Sequence, residues 1–582
     1  MEPTNINNPE YFHRVIDCQF GCPAHTRVPE YIRLIAAKRY DDAYMINWES
    51  NVFPGILGRV CDRPCEPVCR RGRVENEAVA ICRLKRVCAD NKGDVRERLP
   101  KPPGEKNGKK IALIGGGPAS LTVARDLILL GYEIDLFDDQ ASAGGFIRSQ
   151  VPSFRLPLQV LEEEVNYILD MGVNTHFSTY IQSMKEFLKK DYDAVFVGTG
   201  APRGRDLVLP GREEGEAYIH VGINWLAGVQ YRHVEKIGKK TLVIGGGNTA
   251  MDCCRTARRV GGDNVSVIIR GSQEKMKASP WEIEDTLRED IPIREYLSPL
   301  EYIVKDGKLT GMLFEHAPGS PKEGEEPVVI DCDEVLLAIG QENAFPWIEE
   351  DIGINFDDNG RPKIDPVTFQ SSLENVFFGG DAAFGAKNII TAVAHGHEAA
   401  LSIHLFLEGE DLDKRPHPIT DLAGQKLGYH DWMYHSEVTE EQRHEVPMQP
   451  KVKSIKDRLL EVELGFDQKV GLKEALRCIN CDIQTVFYVD KCIECDACVD
   501  ICPTTCINFL KNSEEEDLRS RLTIPAKITW QSLYVSDILP TGRVMVKDEN
   551  VCLHCGLCAE RCPTAAWEMQ KYTYITAKAG HK

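Results

Sequence analysis

The chain lacks three features that would place it at a membrane or on nucleic acid. Its 582 residues contain no uninterrupted apolar run of about 18 residues, so we expect no transmembrane helix. The chain starts MEPTNINNPEYF, without the basic and then apolar segments of a secretory signal. A net charge of −20 argues against the concentrated basic surface that binds nucleic acid. We therefore expect a cytoplasmic protein.

The middle of the chain is nearly free of cysteine, although the whole chain has 21. Seven cysteines lie in residues 18–88, three in 253–332 and eleven in 478–562. Disulfide frameworks are typical of small secreted domains, whereas cytoplasmic thiols stay reduced. The distribution therefore favours metal or redox ligation near the two ends of the chain.

Length and composition indicate several folded domains. A single hydrophobic core stops growing near ~250–300 residues, so a chain of 582 residues predicts three or four units. Hydrophobic residues make up 42% and charged residues 27% of the chain, which is ordinary for a globular protein and excludes wholesale disorder.

The most specific pattern is a cysteine motif that occurs twice near the C-terminus. The spacing C-x2-C-x2-C-x3-C, followed by proline, begins at Cys492 and again at Cys552. It is typical of bacterial two-cluster ferredoxins, in which the fourth cysteine of each motif binds the other cluster. It predicts one 4Fe–4S cluster at Cys492, Cys495, Cys498 and Cys562, and another at Cys552, Cys555, Cys558 and Cys502. Zinc is the alternative, but zinc sites do not need this spacing.

The segment between the two motifs, residues 511–543, is long for a compact ferredoxin. It is either a docking surface or a tolerated surface loop, and the sequence leaves both open. Cys506 lies just past the first motif, and we interpret it as a packing residue.

Residues 110–138 have the pattern of a dinucleotide-binding β-α-β unit. An apolar strand runs into the turn Gly115-x-Gly117-x-x-Ser120, a helical segment follows, and a second strand ends at Asp138. The second glycine lets the backbone approach a pyrophosphate at the helix N-terminus, and the acidic residue would bind ribose hydroxyls. The serine at the third position is small enough for the helix to pack on the strand.

A second unit of this kind begins near residue 240. Its turn is Gly245-x-Gly247-x-x-Ala250, and its second strand ends in Arg270, where an acid is expected for NAD(H). An arginine there suits a 2′-phosphate, so NADP(H) is favoured. Three arginines on the helix after the turn either assist or are solvated charges, and we expect the latter for at least two of Arg255, Arg258 and Arg259.

Residues 375–400 read as a strand, the tripeptide Gly379-Gly380-Asp381 and a helix starting near Thr391. Asp381 at the strand tip can bind a ribityl hydroxyl, and the helix N-terminus can stabilise negative charge on a reduced flavin. Two dinucleotide sites in one chain predict FAD together with NADP(H). We expect no catalytic side chain, because hydride transfer takes place at FAD.

Seven motifs in order resemble one known family. They are CxxxCP at 18–23, GRVCxxxCExxC at 58–69, GGGPA at 115–119, FRLP at 154–157, GGGNTAMD at 245–252, AIGQ at 338–341 and GGD at 379–381. The chain resembles the small subunit of glutamate synthase, the flavin half of dihydropyrimidine dehydrogenase and the large subunit of NADH-dependent ferredoxin:NADP oxidoreductase. The resemblance implies a multidomain α/β protein with an N-terminal helical iron–sulfur domain and two nested Rossmann-like domains, here followed by a ferredoxin domain.

The resemblance also implies site residues. For FAD they are Gly115, Gly117, Pro118, Ala119, Asp138, Gly145, Arg148, Arg155, Gly380, Asp381 and Thr391. For NADP(H) they are Gly245, Gly247, Asn248, Thr249, Arg255 and Arg270. The chain departs from the family in three places, since Ser120 replaces a glycine, Asp138 replaces a glutamate, and Gly271 replaces the second arginine of the 2′-phosphate site.

The N-terminal cysteines depart further from the family, whose corresponding domain holds two 4Fe–4S clusters. Its leading R-C-x2-C motif is missing, and Glu10 and His13 occupy that place. A similar segment, EALRCINCD, stands at residues 474–482, and we hypothesise that it folds back onto the N-terminal domain. This returning motif would complete one cluster, formed by Cys18, Cys69, Cys478 and Cys481. The alternative is that these four cysteines bind nothing and that the chain holds three clusters.

The other N-terminal cluster lacks an obvious fourth ligand beside Cys22, Cys61 and Cys65. Relatives can use a glutamine, with which Lys85 aligns, but lysine is a poor ligand. Cys82 lies three residues earlier, which is the same face if the segment is a helix. We therefore predict a cluster at Cys22, Cys61, Cys65 and Cys82.

These assignments predict five regions and one function. The regions are a helical iron–sulfur domain (1–100), an FAD domain (108–230 and 345–410), an NADP domain (231–344), a polar connector (411–470) and the returning motif with the ferredoxin domain (471–582). We expect a subunit that passes electrons between NADP(H), FAD and 4Fe–4S clusters, to or from free ferredoxin or a catalytic partner resembling a 2-oxoacid:ferredoxin oxidoreductase. The alternative is a glutamate synthase small subunit that feeds a glutaminase-type large subunit.

Overall fold

The computed structural model describes residues 1–75, 77–424 and 439–581. Part of the expected connector, residues 425–438, thus lies outside the described residues. None of the described helices combines the length with the hydropathy that crossing a bilayer requires.

The described chain divides into two units that are built from separated segments. Unit 1 comprises Met1–Leu99, Lys414–Val446 and Gly465–Lys582. Unit 2 comprises Pro100–Asp413 and Pro447–Leu464. Both cysteine-rich ends of the sequence therefore fold into unit 1, and the two glycine-rich turns lie in unit 2.

Unit 2 contains a five-stranded parallel sheet around the first glycine-rich turn. In sheet order its strands are Val376–Phe378, Ala194–Val197, Lys110–Ile114, Glu133–Phe137 and Asn174–His176. The central strands are short Val-, Ile- and Leu-rich runs, as strands buried on both faces require. The main helices of this part are Pro118–Ile128, Leu158–Leu169 and Ile389–Glu408. The first and the last of these pack closely, since a Cβ on Gly396 would lie 2.6 Å from the Ala119 carbonyl oxygen.

A second five-stranded parallel sheet surrounds the second glycine-rich turn. In sheet order its strands are Ile219–Val221, Glu334–Leu337, Lys240–Ile244, Asn264–Ile268 and Ile293–Arg294. Its helices are Gly222–Gln230, Asn248–Arg259 and Pro280–Arg288. Because Val335 pairs with Ile219, this sheet begins before residue 231, where the expected NADP domain started. A strand of three residues carries too little pattern to be recognised in a sequence.

The remaining elements of unit 2 are short or antiparallel. The antiparallel strands are Leu297–Lys305, Lys308–His316 and Val328–Asp331, and the strand pair Arg203–Gly204 and Gln341–Glu342. The short helices are Phe146–Ser149, Met184–Phe187, Asp381–Phe384 and Lys451–Ser454, with 3-10 turns at Glu216–Tyr218 and Gln273–Lys275. Tyr302, Met312 and Phe314 are buried against Leu242 of the second sheet, so the antiparallel sheet shares its core.

The helical part of unit 1 comes mainly from the N-terminal segment. Its helices are Pro9–Val15, Asp17–Phe20, Val28–Ala36, Tyr40–Asn51, Pro54–Val60, Gly72–Glu75, Ile81–Asn91 and Gln468–Ala475, with a 3-10 turn at Arg96–Arg98. Tyr31, Tyr44 and Trp48 are among its largest buried side chains. The last helix carries the start of the returning motif into this helical core.

The strands of unit 1 form two antiparallel sheets. In sheet order they are Ile419–Gly424, Trp567–Ile575 and Ile483–Phe487, and then Ile507–Lys511, Arg543–Lys547 and Tyr534–Val535. Short helices follow the cysteine motifs and the insert, at Ala497–Ile501, Leu557–Arg561 and Glu515–Ser520, and a 3-10 turn lies at Val489–Lys491. Residues 419–424 of the expected connector thus form an edge strand. The Thr4 N–H donates to the Val535 carbonyl at 2.8 Å, which ties the first residues to the ferredoxin part.

Candidate cofactor and cluster sites

Unit 2 contains a cavity of about 580 Å³ beside the first glycine-rich turn. Eight of the eleven residues predicted for FAD line it, namely Gly115, Gly117, Pro118, Ala119, Asp138, Gly145, Gly380 and Asp381. Asn248 and Thr249, predicted for NADP(H), line the same cavity. The first glycine-rich turn and the start of the helix after the second turn therefore face one space, as close approach of two reacting cofactors requires.

The first turn has the steric form of a pyrophosphate cradle. Gly115 has a φ of +94°, and a Cβ there would lie 2.7 Å from the Gly198 carbonyl oxygen, so only glycine fits. A Cβ on Gly117 would meet only the Gly198 carbonyl oxygen, at an ordinary contact distance of 3.7 Å, which leaves space above the helix N-terminus. Ser120 fits at the third position because the facing residue is Gly198, where a Cβ would lie 2.3 Å from the serine Oγ. The turn therefore fits a bound dinucleotide.

Two carboxylates line the cavity at the ends of strands. Asp138 accepts the backbone N–H of Gly116 at 2.5 Å and that of Gln140 at 2.7 Å. Burial raises the pKa of the Asp138 carboxyl to about 6. Asp381 accepts the backbone N–H of Lys387 at 3.0 Å, and burial raises its pKa too. Both carboxylates are held in place by backbone donors, and ribose or ribityl hydroxyls are suitable donors for their remaining oxygen lone pairs.

Arg155 lies in an ion-pair network and not in the FAD cavity. Its guanidinium donates to both carboxylate oxygens of Asp252, at 2.7 and 2.9 Å, and to Glu282 at 2.5 Å. It is absent from the cavity lining. Arg155 thus joins the FRLP segment to helices of the second sheet, and its predicted role at FAD stays a prediction.

Arg255 is also held by carboxylates. Its side chain is 2% exposed and ion-pairs with Glu282, Asp285 and Glu289 at 3.1–3.3 Å. A guanidinium that is buried and compensated in this way does not favour a contact with a 2′-phosphate, and the assignment of Arg255 to NADP(H) stays a prediction. Arg259 shares Glu289 at 2.7 Å and is compensated in the same way.

Arg148 and Thr391 lie outside the lining of the FAD cavity. Arg148 donates to the Ala143 carbonyl at 2.6 Å, and Thr391 donates its hydroxyl to Asn388 at 2.7 Å. Lys387 does line the cavity, and it was not among the residues predicted for FAD. It follows the GGD motif by six residues, and no spacing rule marks a lysine in such a loop.

The second turn repeats the steric pattern of the first. Gly245 has a φ of +140°, and a Cβ there would lie 2.2 Å from the Ala338 carbonyl oxygen. A Cβ on Gly247 would meet nothing within 4 Å, and the same holds for Gly271. Arg270 is exposed beside this open space and makes no ion pair with any described residue. This arrangement fits a nicotinamide dinucleotide with a 2′-phosphate.

The ferredoxin cysteines lie together as their spacing predicted. Cys492 interacts electrostatically with Cys495 and Cys562, and Cys498 with Cys492 and Cys562. One small cavity is lined by Cys502, Cys552, Cys555 and Cys558. Cys506 is buried, as expected, but it lines that cavity too, with its Sγ 3.5 Å from the Sγ of Cys502.

Cysteines from both ends of the chain line a second small cavity in unit 1. Cys18, Cys69, Cys478 and Cys481 surround it together with Val28 and Ile32. We call these four cysteines the shared quartet. Burial raises the pKa of Cys18, and so do the neighbouring thiols of the other three. The fold thus brings together four residues that span more than 460 positions of the sequence.

The other N-terminal cysteines also lie together, and we call Cys22, Cys61, Cys65 and Cys82 the N-terminal quartet. The thiol of Cys82 is in hydrogen-bond contact with those of Cys61 and Cys65. Cys22 lies close enough to Cys65 to raise its pKa. The backbone N–H of Cys82 donates to Glu66 at 3.0 Å, which fixes the start of its helix.

Buried ion pairs hold the returning motif in the N-terminal helices. Arg477 donates to Glu474 at 2.7 Å and also to Glu75, and its side chain is fully buried. Glu474 accepts the backbone N–H of Ala80 at 2.8 Å, and Asp482 pairs with Arg33 at 2.5 Å. Three charged residues within nine positions therefore fix Cys478 and Cys481 in place.

The donor set fits iron–sulfur clusters. All 21 cysteines are free thiols, and thiolates are the ligands of 4Fe–4S clusters. Four sets of four converge, and in the described chain only Cys88, Cys253, Cys254, Cys332 and Cys506 stand outside them. Each set would hold one cluster.

Comparison with known proteins matches three family models to the chain. A model described as pyridine nucleotide-disulphide oxidoreductase covers residues 109–396. One described as dihydropyrimidine dehydrogenase domain II, 4Fe-4S cluster, covers residues 13–96. A 4Fe-4S dicluster domain covers residues 491–566.

Several curated proteins are similar over most of the chain. NADP(+)-dependent formate dehydrogenase subunit beta of Moorella thermoacetica is 33% identical over 504 residues, covering 80% of this chain and 70% of the relative. NADPH-Fe(3+) oxidoreductase subunit beta of Geobacter sulfurreducens is 30% identical, with 82% and 77% covered. The glutamate synthase [NADPH] small chain of Azospirillum brasilense is 29% identical, with 68% and 86% covered.

These findings confirm the predicted resemblance and the predicted fold class of Rossmann-like domains combined with two iron–sulfur domains. They also confirm FAD, NADP(H) and 4Fe–4S clusters as the cofactors. The number of clusters and the cysteines assigned to each stay predictions.

Proposed function

Because the chain belongs to the family of NAD(P)H-dependent FAD and iron–sulfur oxidoreductases that includes the glutamate synthase small chain, we propose that it carries electrons between NADP(H) and a partner's active site through FAD and four clusters. The observation that carries this proposal is the convergence of sixteen cysteines into four quartets within unit 1. Together with the dinucleotide cavity of unit 2, they give one chain every cofactor site that electron transfer from a nicotinamide requires.

The chain's own residues place the cofactors. The N–H of Gly115 donates to the Phe137 carbonyl, so the space at Gly117 and the helix N-terminus after it would hold a pyrophosphate. Asp138 and Asp381 would accept from hydroxyls of the bound dinucleotide. When bound, NADP(H) and FAD exchange two electrons as a hydride, and 4Fe–4S clusters take electrons singly. The helix that begins at Ile389 starts in the lining of the same cavity, and its N-terminus would stabilise negative charge there.

The partner is proposed to be a catalytic subunit. The relatives from Moorella and Geobacter are named as beta subunits and the Azospirillum relative as a small chain. Cys495 of the ferredoxin part is exposed, which supports electron exit at that quartet. A 2-oxoacid:ferredoxin oxidoreductase or free ferredoxin suits a ferredoxin domain of this type, and a glutamate synthase large subunit is the alternative.

Anaerobic reduction of the purified chain tests the proposal. NADPH should bleach the absorbance of both the flavin and the clusters, and the number of electrons taken up should equal two for FAD plus about one for each cluster. Reduction of the flavin with unchanged clusters would contradict electron transfer within the chain. The native complex, isolated under the same conditions, then identifies the partner by the subunit present in equal amount.

Arg270→Ala should weaken the preference for NADPH over NADH. A charged hydrogen bond to a phosphate contributes about 1.5–3 kcal/mol, so kcat/KM for NADPH should fall by roughly 10- to 100-fold, while that for NADH changes little. Flavin reduction followed by stopped flow measures both values. Arg288→Ala is the control, because Arg288 is exposed and pairs with Glu284. An equal loss for both nucleotides would contradict a 2′-phosphate contact.

A further inference from the structure

A lysine ammonium is buried beside the N-terminal quartet. Lys85 lies one turn after Cys82 on the helix Ile81–Asn91 and is 4% exposed. Burial alone would lower its pKa, but the thiolates of the quartet outweigh burial and raise it, with Cys82 contributing most among them. The charge of Lys85 therefore acts directly on the four predicted ligands.

No carboxylate pairs with this ammonium in the described part of the chain. Its Nζ donates to Asn51 Oδ1 at 3.1 Å, and the amide of Asn51 donates in turn to Thr26 and Asn47. These partners are all neutral. A buried ammonium without a counter-ion is strongly unfavourable, so the quartet must supply the negative charge.

A second buried lysine shows the contrasting arrangement. Lys547 is also fully buried and lies beside Cys552 of the ferredoxin part. Its Nζ pairs with Glu549 at 2.8 Å, so a carboxylate already compensates its charge. Lys85 has no such partner, although Arg63 adds a second positive charge near Cys82.

We propose that Lys85 compensates the charge of the 4Fe–4S cluster at the N-terminal quartet and raises its reduction potential. The proposal rests on the proposed function, because it requires that this quartet holds a cluster. Reduction adds one electron and no proton to the cluster, and a fixed cation at low dielectric stabilises the more negative form. The electron comes from NADPH through FAD. This cluster would then retain an electron more readily than a cluster without an unpaired cation beside it.

Redox titration of full-length variants, followed by EPR, tests the proposal. Lys85→Met keeps the length of the side chain and removes its charge, and Lys85→Arg keeps the charge. In Lys85→Met the reduction potential of one cluster should become more negative. At a fixed ambient potential its ratio of reduced to oxidised form should fall at least tenfold, which is a shift of about 59 mV for one electron. Lys85→Arg should stay close to the wild type.

Lys92→Met is the matched control. Lys92 follows the same helix at about 10 Å from Lys85 along its axis and contacts the ring of Tyr44. The Lys92→Met substitution removes one positive charge from the same part of unit 1 and should leave the reduction potential of every cluster unchanged. An equal shift in Lys92→Met would overturn a local role for Lys85.

Iron content keeps the result interpretable when a variant loses its cluster. Loss of about four irons in Lys85→Met but not in Lys85→Arg would support charge compensation, whereas loss in both would show a packing role and overturn the proposal. Full iron content with unchanged potentials would also overturn it. Cys82→Ser tests the premise separately, because unchanged iron in that variant would refute a cluster at this quartet whatever Lys85 does.

Discussion

Cys478→Ser should lower the iron content of the purified chain by about four atoms and remove the EPR signal of one cluster. Cys478 lines the cavity of the shared quartet with Cys18, Cys69 and Cys481. No other cysteine of the described chain lines that cavity, so none can replace the lost thiolate. Iron and acid-labile sulfide analysis of anaerobically purified protein measures the loss.

Bound FAD should be unaffected in Cys478→Ser, because the flavin cavity is formed by unit 2 alone. Cys88→Ser is the matched control, since Cys88 is also buried in unit 1 but donates its thiol to the Lys85 carbonyl at 3.0 Å. It should keep its full iron content. Unchanged iron in Cys478→Ser would contradict the shared quartet and leave the chain with three clusters.

The parts of the sites that a sequence can predict are those built from adjacent residues. The spacing from Cys492 to Cys498 brings three thiols onto one loop, so each motif alone defines three of the four ligands of one ferredoxin site. The turn at Gly115 is equally local, because its strand, glycines and helix follow one another. The return of residues 474–482 was predictable only because the family motif missing near His13 reappears there almost unchanged.

The choice of ion-pair partners could not be predicted in this way. The sequence position of Arg255 suits a contact with a 2′-phosphate. In the structure, however, its side chain is buried and forms ion pairs with Glu282 and Glu289, which are distant in the sequence. Nothing in the spacing of these residues indicates that they meet. Arg270 follows the end of the strand Asn264–Ile268 in its own unit, so the sequence alone could select it, and its contact with a 2′-phosphate stays a prediction.

Short strands were missed for a different reason. Ile219–Val221 and Ile419–Gly424 carry few or no alternating apolar residues, and each gains its place from pairing with a distant strand. Such segments look like linkers in a sequence, because the free energy that orders them comes from long-range contacts. The expected FAD domain, which ended at residue 230, included the first of these strands, and the expected connector included the second.

Arg477→Met should destabilise unit 1 by about 3–5 kcal/mol, because it leaves the carboxylate of Glu474 buried without its arginine. Both side chains are fully buried, and Arg477 also donates to the carbonyls of Ala78 and Glu77. For a unit of this size the temperature of unfolding should fall by roughly 6–20 °C. The loss of cluster absorbance at a fixed heating rate measures it, since unfolding with loss of clusters is irreversible.

The double variant Arg477→Met/Glu474→Gln separates the buried charge from the lost packing. Glutamine keeps an oxygen that accepts the Ala80 N–H and carries no charge, but its amide cannot accept the His444 N–H that Glu474 accepts at 3.0 Å. The double variant should therefore recover only part of the stability. Lys473→Met is the control, since Lys473 and its partner Glu441 are both exposed and the loss of such a pair should change the stability little. If Arg477→Met unfolds like the control, the ion pair does not hold the returning motif. If Arg477→Met unfolds at a lower temperature than the control and the double variant recovers stability, the buried Arg477–Glu474 pair holds Cys478 and Cys481 beside the N-terminal cysteines. The two ends of the chain then form the shared quartet only when that ion pair is made.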